Sequence, residues 1–196
     1  MQSEELGFAP LEINKLDFET SIVMPKTALK IIPTRIVVPS ISLDAPIVPA
    51  VEKEVQKSGT TFLQWSAPDE FAAGWQTDSA YLGQPGNTVI NGHHNINGLV
   101  FKDLNLVEVG EEISIYGSDQ EQYTYEVANV MILPERDEPL DRQIENALWI
   151  MPSSDERLTV ITCWPATSNT HRLIIVAKPI KKDTGFHSIE DIALMP

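Results

Sequence analysis

Short runs of apolar residues with a period near two dominate the chain, and they predict strands. Thr34-Arg35-Ile36-Val37-Val38-Pro39 is a β-branched run. Ile41 to Val48 is a second strand-like segment, punctuated by prolines that favour strand starts and edges. Thr60 to Trp65 predicts a third strand, and Thr88 to His93 a fourth that ends on polar chemistry. Glu112 to Tyr116 follows, then Gln122 to Leu133, where Tyr123, Tyr125, Val127 and, after a shift, Val130 and Ile132 keep the alternation. The two most strand-like runs are Leu158 to Cys163 and Arg172 to Ala177, joined by the polar loop Trp164 to His171.

Helical signals are brief. Phe71 to Trp75 predicts one or two helical turns ahead of the Gly83–Asn87 turn. Leu99 to Leu106 predicts a short helix, with Val100, Phe101 and Leu104 about a turn apart. Pro134 to Arg157 is a long connection with seven acids and three arginines around a helical core of Asp141 to Trp149. Seven or eight closely spaced strands with so little helix argue for an all-β, closed or nearly closed barrel. A parallel βαβ fold would need repeated helical crossovers of about 10 to 15 residues.

Composition adds boundaries to this picture. The expected organisation is a lead-in over residues 1–32, one folded domain over 33–180 and a polar tail over 181–196. The 196 residues suit one sizeable core plus appendages. With 28 acidic against 14 basic side chains the net charge is -14. Such a chain is repelled by a polyanionic backbone, so no nucleic acid and no anionic lipid surface is expected as a partner. The single cysteine, Cys163, excludes an internal disulfide and a four-thiolate zinc site. No run approaches the ~18 apolar residues of a membrane-spanning helix. Met1 to Pro10 lacks the features of a signal peptide, so the chain as given reads as soluble.

Few residues are able to do nucleophilic chemistry. Cys163 closes an apolar strand just before Pro165, which favours a working thiol at a barrel rim, although a cysteine packed as ordinary core remains open. His93 and His94 follow Gly92, a residue that permits close approach. Neighbouring strand residues point to opposite faces, so one imidazole faces a site and the other does not. Arg172 begins the final strand nine residues after Cys163. An in-register hairpin would set the guanidinium beside the sulfur, where its N–H groups suit a developing oxyanion. A solvated strand-end arginine is the competing reading. Thr162 and Trp164, which flank the thiol, are expected to contact substrate.

Gly92-His93, Phe101-x-x-Leu104, Gly110-Glu111-Glu112-Ile113, Leu158 to Cys163 and Arg172 before an apolar strand together resemble the sortases, the cysteine transpeptidases of bacterial surfaces. The sortase pattern Thr-Leu-x-Thr-Cys is matched by Thr159-Val160-Ile161-Thr162-Cys163, with Val160 in the leucine place. Pro33 to Pro39 and the stretch from Trp75 through Pro85-Gly86-Asn87 extend the resemblance, which spans about residues 33 to 180. It implies a sortase-like eight-stranded β-barrel with short helices and a long acidic loop before the cysteine strand. It also implies Cys163 as nucleophile, His93 as general acid/base and Arg172 as the oxyanion or substrate-orienting cation. The implied reaction cleaves a Leu-Pro-x-Thr-Gly-like sorting signal between Thr and Gly and transfers the protein through a thioester to an amine.

The resemblance further implies, as partners, surface proteins bearing such a signal and an amine acceptor, either a cell-wall precursor or a pilin lysine. The implied location is the outer face of a bacterial cell membrane, with the family's membrane anchor absent from this chain. No cofactor is expected, apart from calcium as an option at Glu135, Asp137, Glu138 and Asp141, which some relatives would favour in that loop. Two rival readings use the same residues: a cysteine peptidase with water as acceptor, and a non-catalytic barrel that binds a peptide strand along its edge.

Overall fold

The computed structural model describes residues 29–57 and 60–180. Most of residues 1–32, and all of the tail 181–196, lie outside the described residues. Ten strands are present among them: β1 (Pro33–Val38), β2 (Leu43–Pro49), β3 (Val51–Lys57), β4 (Thr60–Ser66), β5 (Ala73–Trp75), β6 (Gly86–Asn91), β7 (Glu112–Gly117), β8 (Gln122–Pro134), β9 (Glu156–Trp164) and β10 (His171–Pro179). One α-helix, α1 (Leu140–Ala147), interrupts the β8–β9 connection. Eight strands close a barrel in the order β1-β2-β5-β6-β9-β10-β8-β7, and β3 pairs only with β4 as a separate hairpin. The all-β barrel expected from the alternation is therefore the observed fold.

The core follows from period-two burial. Ile36 and Val38, Leu43, Ala45 and Ile47, Leu158 and Val160, and Leu173, Ile175 and Ala177 all point into one hydrophobic cluster. Each fully buried aliphatic side chain contributes about 1.5–3 kcal/mol relative to exposure, so these inward residues fix the register of every strand. A bulge at Ala128, where the β8–β10 register shifts between Val176 and Ala177, produces the change of phase read between Val127 and Val130. Val100, Phe101, Leu104 and Val107 from the β6–β7 connection complete the cluster.

Two local expectations change, and one strand appears where none was read. Phe71–Trp75 does not form helical turns; Ala73–Trp75 is a strand that pairs in parallel with β2 and antiparallel with β6. Gly74 permits this, because a Cβ there would collide with the Asn91 side chain and press on Pro68 and Ala50. Leu99–Leu106 is two separate 3-10 turns, at Asn97–Leu99 and Leu104–Leu106, in place of one helix. Val51–Lys57, polar and charged, is a strand because Thr60–Ser66 folds back on it.

The β8–β9 excursion is pegged to the outside of the barrel by buried polar groups. Asn87 donates through Nδ2 to the carbonyls of Trp149 and Met151, and Thr159 donates to Asn87 Oδ1 at 2.8 Å. Asn146 of α1 donates to the Pro134 carbonyl. These bonds satisfy polar atoms that would otherwise be costly to bury. They hold α1 and the following turn over the outer faces of β6 and β9.

Candidate active site

Alternation along β9 decides where the thiol points. Leu158 and Val160 belong to the core cluster and Thr162 shares their parity, so Thr159, Ile161 and Cys163 face outward. Cys163 is half-buried on the outer face near the end of β9, not inside the barrel mouth. On β10, Leu173 and Ile175 point to the core, which turns Arg172 outward as well. The two residues are direct cross-strand partners, and Arg172 Nη1 donates to Cys163 Sγ at 3.4 Å. The hairpin register predicted from their spacing brings them into contact.

The histidine is brought up by the opposite neighbour of β9. β6 runs parallel to β9 with Asn91 beside Ile161. The Thr162 hydroxyl donates to the Gly92 carbonyl at 2.7 Å, holding the two chains together one residue further. His93 follows immediately, on the flank of β9 opposite Arg172. A Cβ on Gly92 would lie 2.5 Å from Phe101 Cδ2, so the glycine before the histidine is required by the packed Phe101 ring. The Phe101 amide in turn donates to the His93 carbonyl.

The two imidazoles have different surroundings. His93 is half-buried, and burial pushes its pKa below the ordinary imidazole value. The Asp69 carboxylate and a hydrogen bond to the Ala67 carbonyl oppose that shift without cancelling it. Asp69 is itself held by Asn97, whose Nδ2 donates to Oδ1 at 2.8 Å. His94 is 6% exposed, donates from Nδ1 to the Phe101 carbonyl at 3.0 Å, and packs its ring 5.0 Å from that of Trp164. One histidine is thus a buried packing element and the other is accessible.

The remaining candidates are positioned as follows. Thr162, expected to contact substrate, is 3% exposed with its hydroxyl on Gly92, directly behind the thiol. Trp164, also an expected substrate contact, is half-buried against His94. Asn95 donates to the Ala166 carbonyl, a second stitch between the histidine loop and the cysteine loop. Asp69 and Ala67 had no local signal in the sequence, because their relation to His93 exists only once the chain after β4 crosses it. For calcium, Glu135, Asp137, Glu138 and Asp141 form no cluster: among the described residues no three His, Cys, Asp or Glu side chains converge on a metal-sized site. No helix among the described residues is long and apolar enough to cross a membrane.

Chemically, the arrangement offers a partly exposed sulfur, a guanidinium in contact with it and a titratable imidazole two residues past the end of the adjoining strand β6. That set is suited to acyl transfer, in which a thiol attacks a carbonyl and charge develops on oxygen.

The family model described as Sortase domain matches residues 36–180. Among solved structures, the chain is similar to a lid mutant of sortase A from Corynebacterium diphtheriae, with 24% identity and a TM-score of 0.57 over 82% of this chain and 76% of that one. It is similar also to sortase C-1 from Actinomyces oris, with 22% identity and a TM-score of 0.57 over 76% and 72% of the two chains. A complex of Streptococcus agalactiae sortase C1 with MTSET matches at 20% identity and a TM-score of 0.56, over 76% and 69%. At these identities the structural likeness speaks for the fold. No curated protein matches the chain.

Proposed function

The chain belongs to the sortase family of cysteine transpeptidases, and from that premise we propose that it cleaves a Leu-Pro-x-Thr-Gly-like sorting signal and transfers the carboxyl end to an amine. In this reading the Cys163 thiolate attacks the Thr carbonyl carbon, and the carbonyl electron pair moves to oxygen. Arg172 donates N–H hydrogen bonds to that oxyanion, whose collapse breaks the Thr–Gly C–N bond. His93, as imidazolium, gives the departing amine its proton, leaving an acyl thioester on Cys163. An incoming amine then loses a proton to His93 and attacks the thioester carbonyl; collapse forms the new amide and returns the thiolate.

The observation that carries this reading is the contact of Arg172 with Cys163, 3.4 Å apart on outward-facing, paired positions. A guanidinium at that distance from the sulfur is within reach of an oxygen on the carbon the sulfur attacks. Burial that lowers the His93 pKa makes the imidazolium a stronger acid for the leaving amine and keeps the neutral base available at neutral pH. Sorting-signal proteins and a cell-wall or pilin amine are the proposed partners, with the cell envelope as the proposed site of action.

Incubation with a sorting-signal peptide, with and without an added amine, tests the reading. Amide exchange supports transpeptidation. Cleavage with water alone as acceptor would make the protein a hydrolase, and binding without turnover would make it a peptide-binding barrel.

A further inference from the structure

Two short stretches of chain meet around His93. Ala67 to Phe71 follows a hairpin that pairs with no barrel strand, so contacts outside the sheet ladders have to hold this stretch against the domain. His93 to Phe101 is the loop that carries the imidazole, closed at its neck by the Phe101 amide on the His93 carbonyl. At the tip of that loop, Asn97 Nδ2 donates to Asp69 Oδ1 at 2.8 Å. One residue further, a Cβ added to Gly98 would collide with the Phe71 amide nitrogen and the Glu70 carbonyl, so backbone rests on backbone.

The tip is strained where it makes these contacts. Asn97, Gly98 and Leu99 have φ values of 43°, 71° and 54°, three successive residues in left-handed conformation. Glycine takes that conformation freely and asparagine tolerates it, but leucine does not, and such a turn persists only where its surroundings impose it. The Asp69 bond and the Gly98 packing are the contacts at the right place to do so. Pro68 carries the effect back to the histidine. Its ring fixes φ between Ala67 and Asp69, so a fixed Asp69 also fixes the Ala67 carbonyl, which accepts a hydrogen bond from the His93 ring. One ring nitrogen engaged there leaves the other free to exchange a proton with substrate.

We propose that Asp69 is a positioning residue for His93: bonded to Asn97, it latches the left-handed turn to the stretch whose Ala67 carbonyl orients the imidazole. The consequence for turnover rests on the transpeptidase reading, whereas the latch itself can be read on the protein without substrate. Both side chains of the latch are exposed, so replacing them leaves the core untouched. Besides Asp69, the ionisable side chains on the elements around His93 include Glu70 on the same stretch, His94 on the same loop, Cys163 on β9 and Arg172 on β10. Glu70 neighbours Asp69 and supplies the control charge.

The test is a double-mutant cycle of Asp69→Ala and Asn97→Ala in the full chain, with Asp69→Asn as an isosteric variant and Glu70→Gln as control. It is read by NMR titration of the His93 ring protons without substrate, and by kcat and KM for a sorting-signal peptide. Asn97→Ala and Asp69→Ala should each lower kcat by about fivefold with KM unchanged, the weight of one hydrogen bond. The double variant should be no slower than Asp69→Ala alone, because the two residues act as one unit. The His93 titration midpoint should fall in Asp69→Asn and fall less in Asn97→Ala, with the Ala67 amide signal shifted in both, and Glu70→Gln should change neither. An unmoved midpoint in Asp69→Asn, an equal fall in Glu70→Gln, an unmodified kcat in Asn97→Ala, or additive losses in the double variant would overturn the latch. Absence of turnover by the unmodified protein sinks the transpeptidase reading alone, since the ring titration still decides the latch; turnover with that titration unmoved by Asp69→Asn sinks the latch alone.

Discussion

Arg172 faces Cys163 directly across the β9–β10 ladder, with Nη1 3.4 Å from the sulfur. The two are held there by inward neighbours of opposite parity, Thr162 and Leu173, which are themselves cross-strand partners and buried. The contact is thus a consequence of core register: a slip of either strand by one residue would turn its member of the pair inward.

Replacing Arg172 with Ala should reduce kcat/KM for sorting-peptide cleavage by about 100-fold or more, the usual cost of one oxyanion donor. Circular dichroism should stay unchanged, because the residue is on the outer face. A rate near that of the unmodified protein would exclude the role.

His93 and His94 should separate cleanly. His93→Ala is expected to abolish turnover while leaving the fold intact. His94→Ala empties a buried site beside Trp164 and removes a hydrogen bond to Phe101, so it should cost about 2–4 kcal/mol in urea unfolding. Its folded fraction should nonetheless keep most of the cleavage rate. An inactive but stable His94 variant beside an active His93 variant would reverse the assignment.

The pH dependence of stability carries a signature of His93. Its pKa in the folded protein is lowered by burial, so the unfolded chain takes up the proton first as pH falls. Stability is complete above the ordinary imidazole range and is lost as pH falls through the folded value. His93→Gln removes this loss. The difference in urea midpoint between the unmodified protein and the variant should therefore shift against the unmodified protein on going from pH 8 to pH 5 (~3 units across the imidazole range).

Glu156 should show the opposite sign. Desolvation raises its pKa, only partly offset by hydrogen bonds from Tyr125, whose hydroxyl donates to Oε1 at 3.1 Å, and from the Gly83 amide. The folded protein holds the proton more tightly, so this group's stability contribution is present below the ordinary carboxylate range and is lost as pH rises through the folded value. Glu156→Gln keeps the acceptor and removes the charge. It should melt higher than the unmodified protein at neutral pH and converge with it at acidic pH.

Local patterning made much of the barrel legible. The β-branched runs of β1, β9 and β10 send alternate residues into the core cluster as their periodicity implies, and the nine-residue spacing of Cys163 and Arg172 translated into a paired contact. Where tertiary contacts override local preference, the pattern was silent. Ala73-Gly74-Trp75 is a strand because β2 and β6 flank it, and Val51–Lys57 is a strand because β4 pairs with it, although its sequence is charged. The site divides in the same way. Cysteine, histidine and arginine are chemical types that stand out in a chain with one thiol. The Ala67 carbonyl and Asp69 have no local signature, since they meet His93 only after the hairpin returns. The parallel pairing of β6 with β9, which carries the chain into His93 on the flank of β9 opposite β10, is likewise a long-range event.

The most direct test of a Cys163 acyl-enzyme is intact-protein mass spectrometry after rapid acid quench with a sorting-signal peptide. The account predicts a mass increase equal to the amino-terminal peptide fragment less water, mapped to Cys163. The adduct should be lost on adding amine as the new amide appears. Peptide cleavage by Cys163→Ala at the unmodified rate, or turnover with no adduct on that sulfur, would contradict it.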